Sequence, residues 1–251
     1  MMNLDKCDDY FRNLLGSSVK LPGEYGITCR TDLDINHIGY ATNLTPDVVN
    51  AAIDRKVDLI VTHHDAWDFV YGMGFICREK MMEHSIAHIF IHTPLDAAEF
   101  GTAATFGRLL GGKVVGTMAK IHNFPCGRVF ELDEALPLEK VQKKIEHVCG
   151  EKVLSWKNND EEVKRFGIVT GAGALTSFLK ETSENQCSLY ITGEKNLYTI
   201  QFAQFSGINL IVGSHTFTEI FGVKSLVEIL KEEFPHIEIS RINEEHLELP
   251  D

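Results

Sequence analysis

The chain has 251 residues, of which 44% are hydrophobic and 24% charged, with a mean hydropathy of -0.07. Those proportions belong to a globular protein and argue against a disordered, fibrous or membrane class, and the length allows one large domain or two small ones. Acidic residues outnumber basic ones 36 to 24, a formal charge of -12, so the surface has no general attraction to phosphate backbones, which argues against nucleic acid as a partner.

Along the chain, Leu4, Cys7, Phe11, Leu14 and Leu15 recur at helical spacing before Gly16, which predicts an amphipathic helix with a stop signal. Strands are predicted over Tyr25 to Arg30 and His37 to Thr42. Thr45 then reads as an N-cap and Pro46 as the first residue of a helix reaching about Arg55. A short apolar strand, Val57 to Val61, ends in Thr62-His63-His64. Asp65 to Phe75 reads as a loop, and a helix from about Arg78 to Ala87 leads into a strand, His88 to Ile91, that ends in His92-Thr93-Pro94-Leu95-Asp96. After a helix over Ala103 to Leu110, Lys113 to Phe130 reads as two strands interrupted near Pro125 and Gly127. Pro137 opens a helix to about Val148. Strands are then expected at Phe166 to Val169, Ser188 to Ile191 and Ile208 to Val212, each followed by a helical stretch. A helix over about Phe217 to Phe234 and a strand over Ile237 to Ser240 end the pattern, and the acidic tail after Asn243 is expected to be loose.

Short apolar strands alternating with helices imply βαβ units, hence an α/β fold with largely parallel, buried sheets. Asp58-Leu59-Ile60-Val61-Thr62-His63-His64 and Asn209-Leu210-Ile211-Val212-Gly213-Ser214-His215 resemble each other. They suggest two related halves, each presenting histidine at a strand end, with a soft boundary near Pro125. The N-terminus lacks the apolar core of a signal peptide, and no apolar run reaches the roughly 18–20 residues that span a bilayer. Six cysteines without a C-x-x-C pair read as reduced, mostly buried thiols of a cytoplasmic protein.

Ligands of open α/β sheets bind outside the carboxyl ends of the strands. Three strand ends here carry metal-type ligands: His63 and His64, then His92 and Asp96, then His215 and Glu219. Neighbouring residues of an extended chain point to opposite sides, so His63 and His64 would serve two neighbouring ions. On a nascent helix His215 and Glu219 would share a face, and Glu219 could bridge both ions. Nitrogen and carboxylate ligands without thiolate suit a catalytic pair of divalent transition-metal ions, Zn, Mn or Fe, about 3.5–4 Å apart. A lone strand-end histidine is ordinarily a hydrogen-bonded residue, but three such motifs at equivalent places favour the metal. His37, His84, His88, His122, His147, His236 and His246 have no such company and read as structural or solvated.

Other motifs fall short. An HD-type dyad belongs on a helix, whereas His64-Asp65 follows a buried strand. Gly171-Ala172-Gly173 lacks the third glycine of a dinucleotide loop, since position 176 is Thr, and reads as a tight strand-to-helix turn. Ser214-His215 has poor geometry for a nucleophile–base pair, and neither a G-x-S-x-G elbow nor a Walker lysine motif occurs.

Thr62-His63-His64, His92-Thr93-Pro94-Leu95-Asp96-Ala97 and Gly213-Ser214-His215-Thr216-Phe217-Thr218-Glu219 resemble the three metal motifs of the NIF-three-like family, the GTP cyclohydrolase I type 2 homologues. Leu189 to Glu194 is similar to that family's strand and turn before its last motif. The resemblance runs from about Leu44 to Leu226. It implies two similar α/β domains with largely parallel sheets flanked by helices, taken as 1–125 plus 223–251 and as 126–222, with the metal site in the cleft between them. It also implies two metal ions per chain and a homohexameric ring. Carried over by position, the ligands are His63, His64, Asp96, His215 and Glu219, with His92 beside the metals. The chain departs from the family pattern at Asp65, at Gly101 to Thr105, at Leu197 and Tyr198, and at Asn43, where an acidic residue is common.

By this resemblance the protein is a dinuclear metal-dependent hydrolase. Activated water would act on a small, nucleotide-like substrate, as in opening of the GTP imidazole ring at C8, with His92 or Glu219 moving protons. A dinuclear phosphoester hydrolase is a second enzymatic reading, and a non-catalytic metal-binding regulatory or interaction protein a third. Glu194, on the turn before the last motif, is expected to be a bystander to metal binding.

Overall fold

Short β-branched runs alternating with capped amphipathic segments give the chain its α/β character. The computed structural model describes residues 2–249; Met1, Pro250 and Asp251 lie outside the described residues, so the expected domain limits at positions 1 and 251 do too. In chain order the elements are α1 (Leu4–Leu15), β1 (Tyr25–Cys29), β2 (His37–Asn43), α2 (Pro46–Asp54), β3 (Leu59–His64), α3 (Met73–Glu83), β4 (Ala87–Ile91) and α4 (Thr93–Ala97). There follow α5 (Thr102–Leu109), β5 (Lys113–Ile121), β6 (Phe124–Leu136), α6 (Leu138–Cys149), β7 (Leu154–Trp156), β8 (Val163–Val169), α7 (Thr176–Glu184) and β9 (Leu189–Thr192). The last are α8 (Leu197–Ser206), β10 (Asn209–Val212), α9 (His215–Glu233) and β11 (Glu238–Arg241).

The chain divides into two compact units. The first holds the chain up to Ala98 together with Val223–Glu245, and the second holds Glu99–Gly222 and the chain from His246 on. The break expected near Pro125 lies instead after Ala98, because the segment after α4 builds α5 and β5, and these pack on β6 of the second unit.

In the first unit the strand order is β1-β4-β3-β2-β11, parallel throughout except for β1 against β4. Every residue of β3 is buried. Its Leu59-Ile60-Val61 run has no polar alternation, as a central parallel strand covered on both faces requires. Thr45 caps α2, its side chain accepting from the Val48 amide at 3.2 Å, and Pro46 begins the helix. Val48, Val49 and Ala52 of α2 pack with Ala41, Ile60, Cys77 and Met81. Each fully buried aliphatic chain there contributes about 1.5–3 kcal/mol, which holds the β2–α2–β3 unit, and with it the strand end carrying the histidines, in place.

The second unit has the order β5-β6-β8-β9-β10-β7. Its heart, β8-β9-β10, is parallel, while β5, β6 and β7 join antiparallel. The antiparallel edge comes from a hairpin: His122 and Asn123 both adopt positive φ, 49° and 69°, and turn β5 directly into β6. The interruption expected near Pro125 and Gly127 is therefore absent. Pro125 pairs only with Lys120 of β5, since the β8 ladder starts at Arg128, so its missing N–H breaks no second ladder. Leu179, Tyr190, Ala203 and Leu210 form part of the core beneath this sheet.

Two local expectations are corrected. The helix expected from Arg78 begins at Met73. After β4, Pro94 supports the short helix α4. The tail after Asn243 is tied down. Glu244 accepts from the Thr42 amide at 2.7 Å, and Glu248 accepts from the His215 and Thr216 amides at 2.6 and 3.0 Å. All six cysteines are buried, and no helix among the described residues is long and apolar enough to cross a membrane. Thr45→Ala, which removes the α2 cap, should cost about 1 kcal/mol. Urea unfolding should show this as a lower midpoint at unchanged slope.

Candidate metal centre

A histidine can ligate a metal only through a nitrogen that carries a lone pair, so the partner of its other nitrogen decides whether it is competent. In the first unit three imidazoles are fixed this way. His63 Nδ1 donates to the Ile91 carbonyl oxygen at 2.8 Å, and His64 Nδ1 donates to Asn43 Oδ1 at 2.8 Å. His92 Nδ1 donates to Glu24 Oε2 at 2.6 Å. Each acceptor leaves Nε2 deprotonated in the neutral ring. One ligand atom from each of the three lies within 4.8 Å of the other two.

Sheet order explains this convergence. β3 lies between β4 and β2; the anchor of His63 is the last residue of β4, and that of His64 is its register partner on β2. The two neighbours are thus anchored on the two strands that flank β3, and their ring centroids are only 4.5 Å apart. The expected divergence of His63 and His64 is corrected: their rings converge, and a ligand atom of each lies within 4.8 Å of the other. Asp96, on the first turn after β4, brings Oδ1 to 3.4 Å from His63 Nε2. Glu24 also accepts from the Thr93 hydroxyl at 2.6 Å. Burial works against its charge, but Thr93 and His92 outweigh that and hold the carboxyl below its ordinary range.

His88 gives the contrast. Its two ring nitrogens are taken up by the hydroxyls of Thr28 and Thr62, and burial with the nearby Arg78 pushes its pKa down to about 3. It is a neutral structural histidine. Asp65 lies on that side, with Oδ1 4.0 Å from His88 Nδ1, rather than with the converging ligand atoms.

In the second unit His215 opens α9, and Glu219 follows one turn later with Oε2 at 3.3 Å from His215 Nε2. Glu219 is 3% exposed. Glu194, on the turn after β9, accepts from His215 Nδ1 at 2.6 Å. Burial opposes a charge on His215, but Glu219 and Glu194 overcome it and push the pKa up to about 11. Glu194 therefore orients His215, correcting the bystander role expected from sequence. Ser214 serves as a cap: its hydroxyl donates to Glu151 and accepts from the Phe217 amide at the start of α9. A cavity of about 330 Å³, lined in part by Glu194, Lys195 and Gly213, adjoins the His215 anchor.

Gly171-Ala172-Gly173 is the strand-to-helix turn expected. Gly171 has φ +56°, and a Cβ there would fall 1.8 Å from Glu219 Oε1. The glycine is needed because the carboxylate occupies the space a side chain would fill.

Sequence spacing singled out His63, His64, His92, Asp96, His215 and Glu219, and the structure brings the first four together at the strand ends of one unit and the last two together in the other. Glu24, Glu194 and Glu244 were missed as site-supporting residues. Glu194 alone had a signal, since it stands in the turn of a recognised motif.

These features define a class: a two-sheet α/β protein whose strand ends carry imidazole and carboxylate groups able to bind a metal ion. The chain belongs to the Duf34/NIF3 (NGG1p interacting factor 3) family, whose model matches residues 19–246. It is 28% identical over 207 residues to a Pyrococcus horikoshii protein named GTP cyclohydrolase 1 type 2 homolog, covering 80% of this chain and 82% of that one. A Haemophilus influenzae protein of the same name is 26% identical over 241 residues, covering 93% and 90%. The solved structure of ybgI, a protein of unknown function, superposes with a TM-score of 0.87 at 22% identity over 98% of this chain and 99% of that one, a likeness of fold.

Gly171→Ala should disturb the candidate centre without altering any of its imidazole or carboxylate side chains. The left-handed backbone alone costs about 1–2 kcal/mol, and Glu219 must also move. Thermal unfolding should show the lower stability, and elemental analysis should show metal content below wild type.

Proposed function

We propose that this protein is a dinuclear metal-dependent hydrolase acting on a small nucleotide-like substrate, with His63, His64, Asp96, His215 and Glu219 as ligands. What carries the reading is the state of the imidazoles: His63, His64 and His92 each spend Nδ1 on a fixed acceptor and bring their ligand atoms together. A histidine kept for packing, such as His88, uses both nitrogens. The donor set, imidazole and carboxylate without thiolate, fits Zn, Mn or Fe in a catalytic site. Bound divalent ions would supply Lewis acidity and lower the pKa of water at the site.

The chain's own groups then have distinct tasks. Glu219, buried against His215, supplies the negative charge that holds two cations near one another. His92, half-buried and backed by the Glu24 carboxylate, is placed to take or give a proton at Nε2. Glu219 can also move a proton. The relatives' name, GTP cyclohydrolase 1 type 2 homolog, makes hydrolytic opening of a purine imidazole ring the reaction to assay first, and the family resemblance makes a homohexamer the assembly to expect.

Protein purified without chelator and reloaded should bind close to two transition-metal ions per chain by elemental analysis, and a ratio that never exceeds one would reject the dinuclear centre. Glu219→Gln should lose at least one ion and abolish hydrolysis of nucleotides while the oligomer persists in light scattering. Full metal content and activity in that variant would remove Glu219 from the site. Turnover of no nucleotide or phosphoester by the fully loaded wild type would favour a metal-binding protein without catalysis.

Metal uptake should also release protons. Since Glu219 and Glu194 hold a proton on His215 up to about pH 11, loading near neutral pH must expel it, and affinity must rise with pH. Calorimetric titration in buffers of different ionisation enthalpy should read about one proton released from this residue. Flat metal retention between neutral and acidic pH would exclude histidines as principal ligands.

A further inference from the structure

The acceptors behind the histidines differ in kind. Those of His92 and His215 are carboxylates and that of His63 is a peptide carbonyl, each able only to accept. The acceptor of His64 is the side-chain amide of Asn43, which can present either an oxygen or an NH₂ group. Were the NH₂ turned toward His64, Nδ1 would become the acceptor and Nε2 would carry the proton, a tautomer unable to ligate a metal.

The choice is made by Glu244. Its Oε1 accepts from Asn43 Nδ2 at 2.8 Å and from the Asn43 amide at 3.0 Å, while Oε2 accepts from the Thr42 amide at 2.7 Å. A carboxylate facing those donors can only accept, so it draws the NH₂ of Asn43 to itself and turns Oδ1 toward His64. Glu244 stands three residues beyond the last residue of β11, and β11 pairs with β2, so sheet pairing brings it beside Thr42 and Asn43.

We propose that Glu244 is a positioning residue of the metal centre: through the Asn43 amide it fixes His64 in the tautomer that presents a bare Nε2. Its charge also reaches the imidazole one hydrogen bond further away than those of Glu24 and Glu194 reach His92 and His215. His64 is therefore the least strongly polarised of these three histidines. The tautomer assignment holds whether or not the site is catalytic; the effect on affinity rests on the metal reading above.

The test uses the full-length, metal-free protein with ¹⁵N-labelled histidine, observed by long-range ¹H–¹⁵N correlation at a pH of about 8, where an ordinary histidine of pKa about 6.5 is neutral. Wild type should show His64 as the Nδ1–H tautomer. Glu244→Ala and Glu244→Gln should both move it toward Nε2–H while the His63 signal stays, because His63 is anchored on a backbone carbonyl. In Gln the NH₂ faces backbone donors, so the amide network must rearrange even where the shape is kept. Zn²⁺ affinity should fall about tenfold or more in both variants, and Glu245→Gln, an exposed neighbour, should change neither readout. The double variant Asn43→Asp with Glu244→Gln places a carboxylate directly on His64 Nδ1 and should restore the Nδ1–H tautomer. Retention of that tautomer in Glu244→Gln would overturn the proposal, and so would a loss of thermal stability in Glu244→Ala with no change in the His64 signal. If Glu244→Ala does not fold, Glu244→Gln decides. A tautomer shift without any change in Zn²⁺ affinity would keep Glu244 as the orienting group and count against His64 as a ligand, a failure of the metal reading instead.

Discussion

The hydrogen bond that fixes each imidazole by its Nδ1 is the constraint on which the candidate centre depends. A free imidazole samples two tautomers and turns about two side-chain torsions, and neither freedom is compatible with holding a cation at a set point. In this protein the fold removes both. The end of β4 supplies the carbonyl for His63 and the end of β2 the amide for His64, while the turn before β1 supplies Glu24 and the turn after β9 supplies Glu194. The acceptors are placed by the strand ladders, so sheet register and imidazole orientation are one problem.

Burial makes the arrangement possible and also demanding. His63 and His64 are 0% and 2% exposed, at the end of a strand that begins with the apolar run Leu59-Ile60-Val61. Polar groups so placed are costly unless they are hydrogen-bonded, and neighbouring β3 side chains answer the same demand. Thr62 donates to the His64 carbonyl oxygen and receives His88 Nε2–H. The strand end is thus a polar layer set into an apolar sheet, in which His88 and Thr62 bond to each other while His63 and His64 are anchored through Nδ1 to the flanking strands. In the second unit the approach of Gly171 to Glu219 follows the same logic: the backbone gives up a side chain so that a carboxylate can be buried against His215.

The candidate residues were legible in the sequence because imidazole and carboxylate groups lie in short, ordered motifs at strand ends, where apolar runs meet histidine. Strand and helix order was readable for the same reason, since buried parallel strands are continuous apolar runs and their helices start with recognisable caps such as Thr45-Pro46. The hairpin at His122-Asn123 was misplaced because Pro125 and Gly127 are stronger turn signals than the residues that make the turn. Gly127 is small for a packing reason, as a Cβ there would lie 2.8 Å from Met118 and Val169 side-chain carbons. Glu24 and Glu244 could not be found by spacing, because each reaches its partner through sheet pairing over 68 and about 200 positions. The tail looked loose because acidic composition signals solvation, whereas its two anchoring carboxylates meet backbone amides at a strand end and at a helix start.

The charge pattern of the second unit sets the protonation of His215. Two carboxylates flank His215, and Glu219 is nearly sealed from solvent, so some positive charge must stand between them. Without metal that charge is the imidazolium proton. A group whose folded pKa lies near 11 rather than near an ordinary 6.5 contributes stability that is fully present below 6.5 and disappears only as pH rises through about 11. Across neutral pH the proton therefore holds His215 between Glu219 and Glu194. On the proposed metal reading, a divalent ion would displace that proton and would meet donors already in place. The same two carboxylates that hold the proton would then hold the cation, with proton and metal competing for one nitrogen.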